Sequence, residues 1–225
     1  MTVSERFTDR LRTLADPIWR AQHFHPFVRG IGTGAVDREQ FKFWVRQDYL
    51  FLIEYARLLA LAAARAPSLE AMTRFAELAQ ETLVTEMGLH RAYSAEFAIS
   101  EADLQSEPKA PTTQAYTDFL LRTAALGDYG ELVAALLPCM WGFSEIGLEM
   151  KRRGLPQEPL CVKWIEMYAS DEFAALADWC RALLDEIGGS LPEADQQRLA
   201  LAFLTSSRYE LAFWDMAKTL EAWPV

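Results

Sequence analysis

Apolar residues recur every three or four positions along nearly the whole chain, which is the spacing of amphipathic α-helices. The clearest case begins at Asp37, which we interpret as the N-cap of a helix that runs to about Arg65. Its apolar stripe consists of Phe41, Trp44, Val45, Leu52, Tyr55 and Leu59. No alternating pattern of the kind found in strands flanks a hairpin turn, so the chain is predicted to be all-α.

Prolines, glycines and helix-capping residues divide the rest of the chain into further helices. The first helix is kinked at Pro17 and has its apolar positions at Phe7, Leu11, Leu14, Ile18 and Phe24. Further helices are expected at about 68–99, 112–127, 128–153, 160–169, 171–187 and 193–220. We predict a loop for residues 25–34, with one proline and three glycines, and another for residues 100–111, with two prolines.

Composition and charge narrow the classes of function. The 225 residues show no compositional break, and 51% of them are hydrophobic, which predicts a single domain spanning residues 1–225 with a sizeable core. A net charge of −10 without a Lys/Arg run disfavours nucleic acid and anionic membranes as partners. The longest uncharged apolar stretch, 132–143, is too short to span a bilayer, and residues 1–12 do not resemble a signal peptide. We therefore expect a cytoplasmic location.

Three reactive side chains stand where the helical spacing predicts core residues. Asp48 lies within the stripe of the helix that begins at Asp37, and Glu210 shares the inner face of the last helix with Leu199, Phe203, Trp214 and Ala217. Cys139 lies on an apolar face and follows Pro138, which removes a backbone hydrogen bond and bends the helix. A buried carboxylate can pair with an arginine of another helix, and a buried cysteine is usually an inert small hydrophobe. Three such residues on separate helices nevertheless favour a shared pocket.

The sequence contains few groupings of residues that could bind a metal or a cofactor. Glu86 and His90 lie one helical turn apart on an apolar stripe, a spacing that can supply two metal ligands. A di-iron site would need more carboxylates and a second internal histidine, whereas His23 and His25 flank the predicted loop. We therefore interpret Glu86 and His90 as a buried Glu–His pair. The cysteine spacing also suggests neither a disulfide framework nor structural zinc, so we expect no metal and no cofactor.

A set of short motifs gives the chain a family resemblance. The motifs are His25-Pro26-Phe27-Val28, Phe41 followed by Gln47-Asp48-Tyr49, Pro138-Cys139-Met140-Trp141, Trp164-Ile165 with Tyr168, and Glu210 with Phe213-Trp214. In this order and spacing, from about Phe7 to Ala217, the chain resembles the TenA/thiaminase II family. The resemblance implies a heme-oxygenase-like helical bundle, usually a homotetramer, with a pocket inside each subunit.

The resemblance also implies an activity. Members of that family hydrolyse thiamin or its breakdown product aminomethylpyrimidine, releasing an amine from the methylene group of the pyrimidine and returning hydroxymethylpyrimidine to thiamin synthesis. By this resemblance Cys139 is the nucleophile, Asp48 binds the amino group of the ring and assists the cysteine, and Glu210 is the acid/base that protonates the leaving amine. Apolar surroundings favour the protonated form of a carboxyl group, which suits an acid.

Aromatic side chains are expected to hold the flat ring of the substrate by stacking. The candidates by position are Phe51, Tyr116, Tyr168 and Phe213. Two positions depart from the family pattern, since Phe143 and Cys161 stand where the family often has tyrosine. The missing hydroxyl at Phe143 removes a hydrogen bond that could orient the ring or the cysteine, so it bears on substrate preference.

Two other classes of function stay open at this point. The first is a non-catalytic pyrimidine-binding or regulatory protein on the same scaffold, although the acidic chain shows no helix-turn-helix signal for direct DNA binding. The second is a related heme-oxygenase-like enzyme with an altered substrate, such as an oxidase or a pyrroloquinoline-type cofactor enzyme. Those enzymes need haem or metal ligands, or a pocket rich in His and Arg, which the sequence does not supply.

Overall fold

A computed structural model describes residues 5–224 of the chain, and no strand occurs among them. The all-α prediction is therefore confirmed. The helices of the described part are α1 (Phe7–Phe24), α2 (Pro26–Thr33), α3 (Arg38–Arg65), α4 (Leu69–Glu81), α5 (Met87–Glu96), α6 (Glu101–Ser106), α7 (Pro111–Leu126), α8 (Tyr129–Arg153), α9 (Pro159–Tyr168), α10 (Asp171–Gly189) and α11 (Glu193–Thr219). A π-helical turn, Thr82–Glu86, connects α4 to α5.

Capping side chains fix where several helices begin. The carboxylate of Asp37 accepts hydrogen bonds from the backbone N–H groups of Glu39 and Gln40, each 3.0 Å long. The hydroxyl of Ser68 likewise accepts from the N–H of Ala71 at 3.1 Å. Such caps satisfy N–H groups that have no partner inside the helix. The predicted starts of α3 and α4 are accordingly confirmed.

The two predicted loops are both wrong, because each contains a helix. In α2, Pro26 occupies the first turn, His25 Nδ1 accepts from the N–H of Phe27 at 3.2 Å, and Gly34 ends the helix with a φ of 72°. Proline at a helix start and glycine just past its end are favourable, so these residues delimit the helix here and do not break it. In α6, a capping box between Ser100 and Asp103 starts the helix.

The inner face of α1 differs from the predicted stripe. Leu14 and Phe24 are 58% and 62% exposed. The buried positions instead step through Leu11, Ala15 and Trp19, four residues apart. A small alanine on this face allows close packing, whereas the predicted stripe included only the larger apolar side chains.

The region predicted as one helix from 68 to 99 is interrupted by the π-helical turn. Across this turn the buried positions are Thr82 and Met87, five residues apart, while Leu83 and Val84 between them are exposed. A π turn accommodates one more residue than an α turn, so the buried stripe continues on the same face into α5. His90, the next buried residue, belongs to that stripe.

Backbone contacts divide the chain into two compact units, each built from two segments. Unit 1 comprises Met1–Ala35 and Gly130–Leu211, and unit 2 comprises Val36–Tyr129 and Ala212–Val225. In unit 1, α1 packs on α2 and α10, and α9 packs on the same two helices. In unit 2, α3 is the central helix and contacts α4, α5, α6 and α7. The single domain expected from the even composition stays a prediction.

One helix of the described residues, Tyr129–Arg153, has the length and apolar composition that a membrane span requires. Within it, 78% of the most apolar window is buried inside the protein. Core helices of soluble proteins have the same length and composition, so these two properties alone do not identify this helix as a membrane span.

Candidate active site

A carboxylate–imidazole pair joins α3 to α5 within unit 2. The Nε2 atom of His90 lies 2.6 Å from Oδ2 of Asp48, and the two residues are 0% and 3% exposed. The partner of the buried Asp48 is therefore a histidine and not an arginine. The expected Glu86–His90 side-chain pair is corrected as well, because His90 Nδ1 lies 3.0 Å from the backbone carbonyl oxygen of Glu86.

The surroundings of His90 favour its protonated form. Burial by itself lowers the pKa of His90, but the charge and hydrogen bond of Asp48, together with the contacts of Glu86, outweigh this, so the pKa of His90 is raised above 6.5. The imidazole also packs against two aromatic rings, that of Trp44 at a centroid distance of 5.4 Å and that of Tyr93 at 6.0 Å. The ring is thereby held in one orientation.

Three of the four expected aromatic wall residues meet in unit 2. The ring centroid of Phe51 lies 5.0 Å from that of Tyr116 and 5.6 Å from that of Phe213, the latter in an edge-to-face arrangement. Tyr55, one turn along α3 from Phe51, adds a stacked contact at 5.5 Å that the sequence did not single out. All four rings are buried, so they form an apolar surface with two phenol groups.

Cys139 lies in α8, within unit 1, directly after the helix-internal Pro138. The three cysteines, all in the described part of the chain, form no disulfide, and they differ in exposure, since Cys161 and Cys180 are 0% exposed and Cys139 is half-buried. Burial raises the pKa of the Cys161 thiol to about 12, and the neighbouring Glu158 contributes in the same direction. Cys161 is therefore held as an unreactive thiol, and Cys139 is the most accessible cysteine.

Aromatic packing brings Phe143 and Tyr168 together in unit 1. Their ring centroids lie 4.9 Å apart, and the ring of Trp164 contacts both, at 5.8 Å from Phe143 and 4.6 Å from Tyr168. Gly147, one turn after Phe143, lets α8 approach the end of α9, because a Cβ atom there would lie 2.7 Å from the carbonyl carbon of Tyr168. This close approach fixes Tyr168 beside Phe143.

Glu210 occupies the inner face of α11, as the spacing of apolar residues predicts. It is 3% exposed, and the four apolar residues expected to share this face are all buried. One turn earlier, the fully buried hydroxyl of Ser207 accepts a hydrogen bond from Nε1 of Trp19 at 3.0 Å. Glu210 is therefore a buried carboxyl on the inner face of α11.

Within residues 5–224, no group of three or more His, Cys, Asp or Glu side chains has an arrangement that could hold a metal ion. The candidate site side chains described above are a thiol, two buried carboxyls, an imidazole and phenols.

Comparison with known proteins adds to this geometry. The model of the TENA/THI-4/PQQC family matches residues 12–220. The chain belongs to the TENA/THI-4/PQQC family. Two similar members of known sequence are aminopyrimidine aminohydrolases. That of Halalkalibacterium halodurans is 44% identical over 220 residues, covering 96% of this chain and 97% of the relative. That of Bacillus subtilis is 34% identical over 218 residues, covering 97% and 92%.

Several solved structures share the fold of this chain. A TenA family transcription regulator from Silicibacter sp. TM1040 superposes with a TM-score of 0.88 at 31% identity, covering 95% of this chain and 97% of that one. The TenA homologue from P. horikoshii OT3 gives 0.86 at 32% identity, covering 95% and 98%. A domain with a heme oxygenase-like fold from Shewanella denitrificans OS217 gives 0.71 at 15% identity, covering 95% and 90%. The predicted heme-oxygenase-like fold is confirmed.

The structure of this TENA/THI-4/PQQC member groups the expected site residues in part. Unit 2 joins Phe51, Tyr116 and Phe213, and it gives Asp48 the unforeseen partner His90. Unit 1 joins Phe143 and Tyr168, and it also contains Cys139, on α8, and Glu210, on α11. The helical spacing placed His90 on a buried stripe, but the partner predicted for it was wrong, because nothing local in the sequence identifies Asp48.

Proposed function

We propose that this chain is an aminopyrimidine aminohydrolase of the thiaminase II type. It would hydrolyse 4-amino-5-aminomethyl-2-methylpyrimidine, thiamin or both to 4-amino-5-hydroxymethyl-2-methylpyrimidine, a step of thiamin salvage. The observation that carries the proposal is 44% identity, along nearly the full length of both chains, to a relative named aminopyrimidine aminohydrolase. The buried carboxyls and the half-buried cysteine supply the chemistry that such a hydrolysis needs.

Cys139 is the proposed nucleophile. Its thiolate adds to the pyrimidine ring, the bond between the methylene carbon and the amine breaks, and water then takes the place of the amine while the thiolate leaves the ring. Covalent catalysis of this kind divides one difficult step into easier ones. The proposal is supported by exposure, because Cys139 is half-buried whereas Cys161 and Cys180 are fully buried.

Glu210 is the proposed acid and base of the reaction. Its carboxyl group donates a proton to the departing amine, and the resulting carboxylate accepts a proton from the water that attacks the methylene carbon. The net reaction converts an aminomethyl group and water into a hydroxymethyl group and ammonia when aminomethylpyrimidine is the substrate. Burial of Glu210 among apolar side chains of α11 supports this role.

The remaining expected residues are proposed to bind the pyrimidine. Asp48 accepts a hydrogen bond from the exocyclic amino group, and Phe51, Tyr116, Tyr168 and Phe213 provide stacking surfaces and phenol donors. At position 143 this chain has phenylalanine where the family often has tyrosine, so this side chain has no hydroxyl group that could form a hydrogen bond to the substrate. We expect this difference to affect the choice between thiamin and aminomethylpyrimidine.

A homotetramer in the cytoplasm is part of the same proposal, with a small pyrimidine as the ligand. Exposed apolar side chains in unit 2 support contacts between subunits, because Leu69, Val84 and Leu126 are 78%, 60% and 76% exposed. Light scattering after gel filtration would then give about four times the chain mass of 25.5 kDa. A monomer would contradict this part of the proposal.

The direct test is to incubate the purified protein separately with aminomethylpyrimidine and thiamin, and to follow hydroxymethylpyrimidine by chromatography. Cys139→Ala is expected to lower turnover by about 10³-fold or more, because the covalent route is lost. Cys180→Ala, which removes a buried thiol of unit 1, is the matched control and should retain turnover. A folded wild-type protein that converts neither substrate would contradict the proposal.

A pyrimidine-binding or regulatory protein on the same scaffold is the alternative. It is favoured by one observation, namely that a solved relative with 31% identity is described as a TenA family transcription regulator. Calorimetric binding of hydroxymethylpyrimidine without any turnover in the assay above would support this alternative. The net charge of −10 makes direct binding to DNA unfavourable.

A further inference from the structure

The hydrogen-bond geometry of His90 determines which ring nitrogen carries a proton. A backbone carbonyl can only accept, so the 3.0 Å contact between Nδ1 and the carbonyl oxygen of Glu86 requires a proton on Nδ1. A second proton lies in the 2.6 Å hydrogen bond between Nε2 of His90 and Oδ2 of Asp48. When that proton lies on Nε2, His90 is an imidazolium ion and Asp48 is a carboxylate.

The surroundings of the pair favour this ionic form over a neutral imidazole beside a carboxylic acid. The pKa of His90 is raised, because the charge and hydrogen bond of Asp48 and the contacts of Glu86 together outweigh the lowering effect of burial. The 2.6 Å contact places the imidazole and the carboxylate within direct hydrogen-bonding distance. Oδ2 of Asp48 therefore forms the hydrogen bond to His90, and Oδ1 is the carboxylate oxygen that can accept one from a ligand.

We propose that His90 is a positioning residue, which holds Asp48 as an oriented carboxylate whose Oδ1 atom accepts a hydrogen bond from the exocyclic amino group of the pyrimidine. This inference rests on the proposed function, because it concerns how that substrate is bound. His90 acts only through Asp48 and needs no contact with the substrate. The π-helical turn Thr82–Glu86 contributes by ending at the residue whose carbonyl orients the imidazole.

Packing explains how the histidine can perform this task. The imidazole is 0% exposed, and the rings of Trp44 and Tyr93 contact it. Trp44 lies one turn before Asp48 on α3, so the same helix supplies both the carboxylate and part of the wall that restrains its partner. A hydrogen-bonded carboxylate on a rigid helix is oriented before the ligand arrives, which lowers the entropy cost of binding.

A double-mutant cycle separates this positioning role from a purely structural one. Its four proteins are wild type, His90→Gln, Asp48→Asn and the double variant. His90→Gln is expected to lower kcat/KM for aminomethylpyrimidine by about 10- to 100-fold, the usual effect of losing a supporting partner. In the Asp48→Asn background the same substitution should change kcat/KM by less than about twofold, because no carboxylate remains to be positioned.

Two further variants make the cycle specific. His90→Phe keeps a flat ring but has no N–H group to donate to Asp48. The side-chain amide introduced by His90→Gln can still donate to Asp48. His90→Gln should therefore retain more activity than His90→Phe. Ser94→Ala is the structural control, because Ser94 Oγ donates to the backbone oxygen of His90 at 2.8 Å without touching Asp48. Ser94→Ala should leave kcat/KM within about twofold of wild type even where thermal unfolding shows a loss of stability.

The outcomes distinguish the inference from the function on which it rests. If wild type is active and His90→Gln is equally harmful in both backgrounds, the inference is overturned and the proposed function stands. If folded wild type converts neither pyrimidine substrate, both are overturned. An effect of His90→Gln that disappears in the Asp48→Asn background supports both.

A measurement on wild-type protein keeps the test independent of how well the variants fold. Nitrogen NMR of protein labelled at its three histidines should show both ring nitrogens of His90 still protonated above pH 6.5, the ordinary histidine pKa, with the signals assigned by their loss in His90→Gln. An Nε2 atom of His90 that is already unprotonated at pH 6.5 would contradict the charged pair and would overturn the inference.

Discussion

Gly147 of α8 lies against the backbone of Tyr168 at the end of α9, and a Cβ atom at Gly147 would be 2.7 Å from the carbonyl carbon and 2.9 Å from the carbonyl oxygen of Tyr168. Atoms at these distances overlap. The absence of a side chain at position 147 is therefore what allows the ring of Tyr168 to pack 4.9 Å from that of Phe143.

Gly147→Ala is expected to lower the free energy of unfolding by about 1–3 kcal/mol, because the added methyl group must push the backbone of α9 away. If the proposed function is correct, the displacement of Tyr168 also raises KM for the pyrimidine. Gly142→Ala is the matched control on the same helix, since a Cβ atom there meets nothing within 4 Å. It should gain up to about 1 kcal/mol from helix propensity. Urea unfolding of both variants checks this, and equal stabilities would contradict it.

Phe51 is the common member of the aromatic contacts with Tyr55, Tyr116 and Phe213. Phe51→Ala should therefore cost about 3–5 kcal/mol of stability, whereas Phe24→Ala should cost less than about 0.5 kcal/mol because Phe24 is 62% exposed. Thermal unfolding would measure the difference. A small loss for Phe51→Ala would show that its ring does not support this cluster.

Acid stability should depend on Glu145, which bonds to both Arg12 and His23. Burial acts to raise the pKa of Glu145, but these two partners lower it from 4.5 to about 2. A lowered folded-state pKa contributes stability that is present above about pH 4.5 and is lost as the pH falls toward 2. Stability should consequently fall less steeply over this interval in Glu145→Gln than in wild type.

Urea unfolding at several pH values between about 5 and 2 would check this prediction. Glu186→Gln, which removes an exposed carboxylate of α10, serves as the control and should follow the wild-type curve. Parallel curves for wild type and Glu145→Gln would contradict the assigned role of the Arg12 and His23 contacts.

Because of the π-helical turn, we expect the protein to tolerate deletion of one exposed residue there better than deletion of an exposed residue within an α-helix. Removing the exposed Val84 would leave Thr82 and Met87 four residues apart, the ordinary spacing of one α-helical face, so the buried stripe should stay in register. Removing the exposed Ala76 from α4 would instead rotate neighbouring positions by about 100° and turn Phe75 away from Leu78.

Each large apolar side chain moved out of the core costs about 1.5–3 kcal/mol. We therefore expect deletion of Ala76 to unfold the protein or to destabilise it by several kcal/mol more than deletion of Val84 does. Circular dichroism with urea unfolding gives the comparison. Equal losses for the two deletions would show that the π turn does not absorb the extra residue.

Local signals in the sequence were sufficient for the long helices. Asp37 and its apolar stripe predicted α3 almost to the residue, because an N-cap and helical periodicity depend only on neighbours. The same periodicity placed Asp48 and Glu210 on buried faces. The short helices α2 and α6 were missed, because proline and glycine at their ends were interpreted as signs of a loop.

Relations between distant residues could not be obtained in this way. His90 and Asp48 are 42 positions apart, and only the packing of α5 on α3 makes them partners. Glu86, one turn from His90, was the obvious local choice, but its side chain is not the one that binds the imidazole. The π-helical turn was also unforeseen, although the five-residue step from Thr82 to Met87 marks it once burial is known.

The division of unit 1 into two separated segments has a consequence for synthesis of the chain. The indole of Trp19 donates to the hydroxyl of Ser207, a residue made 188 positions later. At about 5–20 residues per second, α1 leaves the ribosome roughly 10–40 s before that partner exists. The α3–α7 stretch of unit 2 follows without interruption and can pack on itself in the meantime. The newborn α1 therefore waits for both α10 and α11, and a ribosome stalled before α10 would leave its apolar face without these partners for as long as the stall lasts.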